Sequence, residues 1–170
     1  RFTQFAMVAA QEAWKDSGLD MSKTDPTRVG VIVGSASGGM ATIEKNHIAI
    51  VERGPEKCSP FTVPMMIVDI AAGRISIMVG AKGINKAVVT ACATASHSIG
   101  DAFRAIMYGD ADVVFAGGSE APLTSLAMAG FASARTLSRR NDAPAKASRP
   151  FDKDRDGFIM AEGAGILVLE

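Results

Sequence analysis

Short apolar runs bounded by glycine or turn residues alternate with stretches of helical periodicity, and this alternation does most to restrict the fold. Arg28-Val29-Gly30-Val31-Ile32-Val33-Gly34, Ala87-Val88-Val89-Thr90 and Asp112-Val113-Val114-Phe115-Ala116 read as strands. They lack the apolar–polar alternation of a strand with one wet face, so both faces are expected to be covered. Phe2 to Ser17 has the spacing of an amphipathic helix, with Gly18 as its stop. Further helices are expected over Met40–Arg53, Val63–Val79 with a break near Gly73, Ala93–Tyr108 and Leu126–Ala134. Strand signals return at Phe158-Ile159-Met160 and at Ile166–Leu169, whereas Arg139–Asp156 holds ten charges in eighteen residues and reads as a solvated loop. Doubly buried strands alternating with helices give an α/β class with a mainly parallel sheet.

Apolar residues make up 48% of the 170, enough for a core and too many for a disordered tail. Eighteen basic residues balance eighteen acidic ones, which argues against a broad footprint for nucleic acid or a membrane surface. No apolar run approaches the ~20 residues a membrane-spanning helix needs. Two cysteines, Cys58 and Cys92, are too few for a disulfide scaffold and suggest free thiols in a reducing compartment. The start at Arg1 and the apolar run up to Glu170 read as the ends of a fragment.

Two motifs resemble ligand loops and fail on spacing. Gly34-Ser35-Ala36-Ser37-Gly38-Gly39 sits between a strand and a helix, as a dinucleotide loop would. However, Ala36 replaces the middle glycine and no acidic residue ends a second strand about 20 residues on. A tight turn, or a turn whose small side chains leave room for a substrate, fits better. Asp152-Lys153-Asp154-Arg155-Asp156-Gly157 imitates a calcium loop, but position 12 is Gly163 and Glu162 falls one residue short. His47 and His97 belong to no metal-spaced cluster and read as structural.

Cys92 stands where a strand hands over to a helix, among Ala91, Ala93 and Ala95. Unpaired N–H groups and the macrodipole at a helix N-terminus favour a thiolate, which is the nucleophilic form. The same N–H groups can steady the oxyanion of a tetrahedral intermediate. The small neighbours leave space for a bulky acyl group. Equally, a free cysteine is often just a small buried hydrophobe. Local physics leaves both readings open, because exposure decides between them.

The residues around Cys92 carry a resemblance. Gly83 to Ile99 centres on Thr90-Ala91-Cys92-Ala93-Thr94, and other ordered blocks include Pro64-Met65-Met66, Gly109-Asp110-Ala111-Asp112-Val113, Gly117-Gly118-Ser119-Glu120-Ala121, Ala134-Arg135-Thr136-Leu137-Ser138, Ser148-Arg149-Pro150-Phe151-Asp152 and Glu162-Gly163-Ala164-Gly165. Over essentially its whole length the chain resembles the β-ketoacyl-[acyl-carrier-protein] synthases, type II. The resemblance implies a thiolase-like fold of two similar halves, each with a five-stranded, mixed, mainly parallel sheet between helices. Residues 1–170 would be a partial N-terminal domain lacking its first strand. The resemblance implies that this strand is central, so that its absence would leave a gap or an unpaired edge.

The implied activity is decarboxylative condensation. Cys92 would take an acyl group from acyl carrier protein and join it to malonyl-carrier protein. No metal or redox cofactor is implied, since the substrate brings its own phosphopantetheine arm. Two histidines and a lysine would belong to the other half, so the fragment alone is expected not to complete condensation. Phe131 matches a residue beside the cavity, and Arg135 matches one that docks the acidic carrier. Ser37 and Thr62 fall at the far end of the acyl pocket, where the family often has bulkier apolar side chains. Ile84-Asn85-Lys86 departs from the more usual Pro-Asn after glycine. The resemblance further implies a cytoplasmic homodimer, with Ala87–Thr90 pairing across the axis. A polyketide-type ketosynthase and a catalytically silent carrier-binding partner subunit are the alternatives.

Overall fold

The computed structural model describes all residues, 1–170. Four strands form one sheet in the order β2-β1-β3-β4, with β1 Val29–Gly34, β2 Asn85–Lys86, β3 Val113–Glu120 and β4 Gly163–Leu169. β1 runs parallel to both β2 and β3, and β4 runs antiparallel to β3. The mainly parallel α/β sheet expected from the apolar runs is therefore present, and antiparallel β4 makes it mixed, as the resemblance implies.

Each strand's alternate side chains enter opposite layers, as the period of two requires. Val29, Val31, Val33, Val113 and Phe115 join Phe2, Ala6 and Ala10 of α1 (Phe2–Ser17) and Ala71, Ala72 and Ile75 of α4 (Ile70–Val79) in one core. Ile32, Val114 and Ala116 face the other way, against Ala102 of α5 (Thr94–Met107). Burying a side chain such as Phe115 in this way stabilises the fold by about 1.5–3 kcal/mol. Helix α1 ends where Gly18 takes a left-handed conformation at φ 69°, as its sequence suggests.

The sheet has no gap. β1 and β3 pair directly over six positions, from Val29 opposite Val113 to Gly34 opposite Gly118. Of the two consequences expected of a missing strand, a gap or an unpaired edge, the gap is not found. The unpaired edges are those of β2 and β4.

Other boundaries also move. The strand expected at Ala87–Thr90 pairs only one step earlier, at Asn85 and Lys86. Beyond Ile32 the neighbouring backbone comes too close for a regular ladder: a Cβ on Gly34 would collide with the Val88 carbonyl. The helix expected over Val63–Val79 is two helices, α3 (Thr62–Met66) and α4, broken at Ile67 rather than at Gly73. The Met66 carbonyl accepts the Gly39 amide at 3.0 Å, and Ile67 turns to an extended conformation. Phe158-Ile159-Met160 forms no strand. Phe158 makes a single bridge to Leu137, exchanging backbone hydrogen bonds with Thr136 and Ser138. Helices α2 (Met40–Arg53) and α6 (Ser125–Ser133) lie within a residue of their expected positions. No helix is long and apolar enough to cross a membrane.

Candidate active site

The pairing of β1 with β3 ends at Gly34 and Gly118, and the first turn of α5 packs there. The carboxyl ends of parallel strands are the usual place for a ligand in an α/β sheet. Glycine allows the close approach here: a Cβ on Gly34 would also collide with Cγ2 of Thr94, and one on Gly118 would lie 2.9 Å from the Ala95 Cβ.

Cys92 sits in the single 3₁₀ turn Ala91–Ala93 that leads into α5. Thr94 locks this turn. Its buried hydroxyl accepts the Thr90 amide at 2.9 Å and donates to the Ala91 carbonyl at 2.7 Å. Ala91 is held at φ 50°, a left-handed conformation that costs a residue with a Cβ roughly 1–2 kcal/mol. His97, exposed, hydrogen-bonds through Nδ1 to the Thr90 hydroxyl at 2.7 Å. Cys92 itself is exposed, so it is not the small buried hydrophobe of the second sequence reading.

The sulfur's residue lines an open cavity of about 560 Å³, within the ~300–1,000 Å³ typical of small-molecule sites. Ser37 from the β1–α2 turn and Phe131 from α6 line the same cavity. Phe131 meets Phe158 edge to face, with ring centroids 5.2 Å apart, so these two rings form one apolar wall. Two other expected residues are not brought to the cavity. Thr62 starts α3, where its hydroxyl donates to the Ser59 carbonyl at 2.7 Å. Arg135 is exposed and left-handed at φ 58°. With Arg149 and Arg155 it lines a neighbouring concavity of about 900 Å³, which shares Phe158 with the cavity of Cys92.

The charged loop beside that concavity is ordered by its own pairs. The Ser138 hydroxyl and the Arg139 amide hold the Asp156 carboxyl below the usual carboxylate range. The Arg149 guanidinium does the same for Asp152, at 2.8 Å, helped by the Asp154 amide. These carboxylates are thus engaged with their own loop and do not converge as a calcium shell would.

Sequence reasoning missed Glu120. Its carboxylate, at the end of β3, accepts the Ala36 amide at 2.7 Å, the Ser37 amide at 3.3 Å and the Ser35 hydroxyl at 3.0 Å. The signal available was an acid at the end of an apolar strand, facing a turn rich in unpaired amides.

Cys92 thus stands on a turn leading into α5 and opens into a largely apolar cavity, on a fold that known proteins share. The family model for the β-ketoacyl synthase N-terminal domain matches residues 1–170. The chain belongs to the β-ketoacyl synthase family. It is 53% identical over 169 residues to 3-oxoacyl-[acyl-carrier-protein] synthase 2 of Vibrio cholerae serotype O1, covering 99% of this chain and 41% of that one. With the enzyme of the same name from Staphylococcus aureus it shares 54% over 170 residues, covering 100% and 42%. The chain thus spans about two fifths of the length of these curated relatives. Among solved structures, a type II PKS ketosynthase in complex with its acyl-carrier protein superposes with a TM-score of 0.94 at 34% identity, covering 99% of this chain and 43% of that one. A β-ketoacyl synthase from Burkholderia phymatum STM815 gives 0.88 at 34% identity, covering 100% and 42%. The thiolase-like, N-terminal-half fold inferred from the ketosynthase motifs agrees with these neighbours.

Proposed function

We propose that this β-ketoacyl synthase chain carries the acyl-accepting cysteine of a 3-oxoacyl-[acyl-carrier-protein] synthase that elongates fatty acyl chains. The observation that carries the reading is Cys92, exposed on its turn and lining an apolar cavity at the ends of two parallel strands. In the first stage the Cys92 thiolate attacks the carbonyl carbon of an acyl thioester. A new S–C bond forms, and the carrier's phosphopantetheine thiolate leaves. Backbone N–H groups at the turn and the start of α5 stabilise the oxyanion of the tetrahedral intermediate. Ser37 and Phe131 bound the space for the acyl chain. In the second stage malonyl-carrier protein loses CO2, and its carbanion attacks the acyl-enzyme carbonyl. Cys92 then leaves as thiolate and the product is a β-ketoacyl thioester two carbons longer.

Two histidines and a lysine from outside residues 1–170 activate the malonyl group in this scheme, so residues 1–170 alone do not complete the condensation. No metal or redox cofactor takes part. The acidic carrier protein docks against Arg135, whose concavity adjoins the Cys92 cavity through Phe158. The protein acts as a cytoplasmic homodimer, with the exposed segment around Val89 pairing across the axis. The fatty-acid reading is preferred to a polyketide one because the relatives above 50% identity bear the 3-oxoacyl-[acyl-carrier-protein] synthase 2 name, whereas the type II PKS ketosynthase stands at 34%.

Intact-mass analysis of the full protein after incubation with acyl-carrier protein tests the reading. An acyl adduct is expected that disappears in Cys92→Ala while the fold is kept. An adduct of unchanged amount in that variant removes Cys92 from its role.

A further inference from the structure

The turn between β1 and α2 is held at three points, and the middle one is a single carboxylate. At its start, Gly34 is wedged against Val88 and Thr94. At its end, Gly38 and Gly39 lie against the carbonyls of Met66 and Met65, too close for any Cβ, and the Gly39 amide donates to Met66 at 3.0 Å. Between these anchors the amides of Ala36 and Ser37 donate to Glu120 and to nothing else. Ser35, itself buried, passes the connection on. Its hydroxyl donates to Glu120 at 3.0 Å and accepts the Gly38 amide at 2.9 Å. Ser37, the residue so placed, lines the cavity that Cys92 opens into.

We propose that Glu120 is the positioning residue for the acyl end of this cavity: by gripping the Ala36 and Ser37 amides it sets where Ser37 stands, and so which acyl chain lengths Cys92 accepts. The inference rests on the acyl-transfer reading only for its second half. The grip itself is a statement about backbone order. Both carboxylate oxygens are used: the Ala36 amide donates to Oε2 at 2.7 Å, the Ser35 hydroxyl to Oε1 at 3.0 Å, and the Ser37 amide to both oxygens at 3.3 Å. An amide side chain of the same size has only one oxygen, and its NH2 would face a second N–H donor. Size alone therefore does not reproduce the grip.

The test compares Glu120→Gln and Glu120→Ala in the full protein. Hydrogen exchange is read at the Ala36 and Ser37 amides, and Cys92 acylation by hexanoyl- and tetradecanoyl-carrier protein is read as separate kcat and KM values. Far-ultraviolet circular dichroism monitors the fold, and Glu120→Gln keeps the test decisive if Glu120→Ala does not fold. The expected result is exchange at both amides faster by an order of magnitude or more in Glu120→Ala, with Glu120→Gln between it and the parent. The kcat/KM ratio between the two chain lengths should change by ~10-fold in the same order. A Glu120→Gln protein equal to the parent in both readings overturns the proposal, because the grip then does not need the two carboxylate oxygens. Faster exchange with an unchanged chain-length ratio overturns the specificity claim. A parent protein that no acyl-carrier substrate acylates refutes the acyl-transfer reading instead, and the exchange data then decide the grip by themselves.

Discussion

Gly118 of β3 lies so close to Ala95 of α5 that a methyl group on Gly118 would stand 2.9 Å from the Ala95 Cβ and 3.3 Å from its Cα. The contact seats the helix start, and with it the Cys92 turn, on the strand ends. Gly118→Ala should therefore push the first turn of α5 away from the sheet. We expect a stability loss of about 1–3 kcal/mol, the usual cost of overpacking a tight contact, together with slower acylation of Cys92. Urea unfolding and intact-mass time courses measure the two effects. Unaltered kinetics at unaltered stability would contradict the seating role.

Cys92 is exposed, so removing its sulfur has little structural cost. Cys92→Ala should unfold within about 0.5 kcal/mol of the parent, while losing alkylation by iodoacetamide at this position. Peptide mapping after labelling separates Cys92 from Cys58. A large loss of stability would mean that the side chain is packed in solution.

Ser37 leaves room that a larger side chain would fill. Ser37→Phe should shorten the cavity and move acyl preference toward shorter chains, with KM rising most for the longest substrates. A profile of kcat/KM against chain length that keeps its shape would show that Ser37 does not bound the acyl space.

Arg135→Glu should slow encounter with the acidic carrier. Rim charges act mainly on association, so a drop of ~10-fold in the on-rate is expected at low salt, fading as the Debye length shrinks. Stopped-flow association at two ionic strengths reads this directly. A salt-independent effect would point to a local distortion at this left-handed residue instead.

The Asp156 and Asp152 carboxyls are held below their ordinary range in the fold, by Ser138 and by Arg149 respectively. Each favours the folded loop fully above the unfolded carboxylate value of about 4, and loses that contribution as pH falls through the lower folded value. Acid should therefore loosen the 138–156 loop, and Asp156→Asn should remove part of that dependence. Hydrogen exchange of the Arg139 amide as a function of pH checks the sign. Protection that grows on acidification would refute it.

Much of this fold is legible in the chain. β1 and β3 announce themselves because both faces are covered, so their apolar runs are unbroken. α1 and α2 end where glycine follows. What was not legible depends on neighbours distant in the chain. The break after Met66 comes from the amide of Gly39, and the short reach of β2 comes from Gly34 meeting Val88. A periodicity argument sees neither. That β1 and β3 are direct neighbours over six positions is likewise visible only in the pairing itself. In the site, Cys92 and its turn follow from local pattern. Glu120 does not, since its partner Ala36 lies 84 positions away.

The walls around the sulfur have one further consequence. Apart from Cys92 itself, Glu120 is the only acid or base among the residues lining the cavity, and both of its oxygens are already engaged with the turn. Such a chamber can shelter a greasy tail and present the Cys92 sulfur to it, but it has no spare group to ferry protons. Any step that needs a proton delivered or withdrawn must borrow that group from beyond these walls.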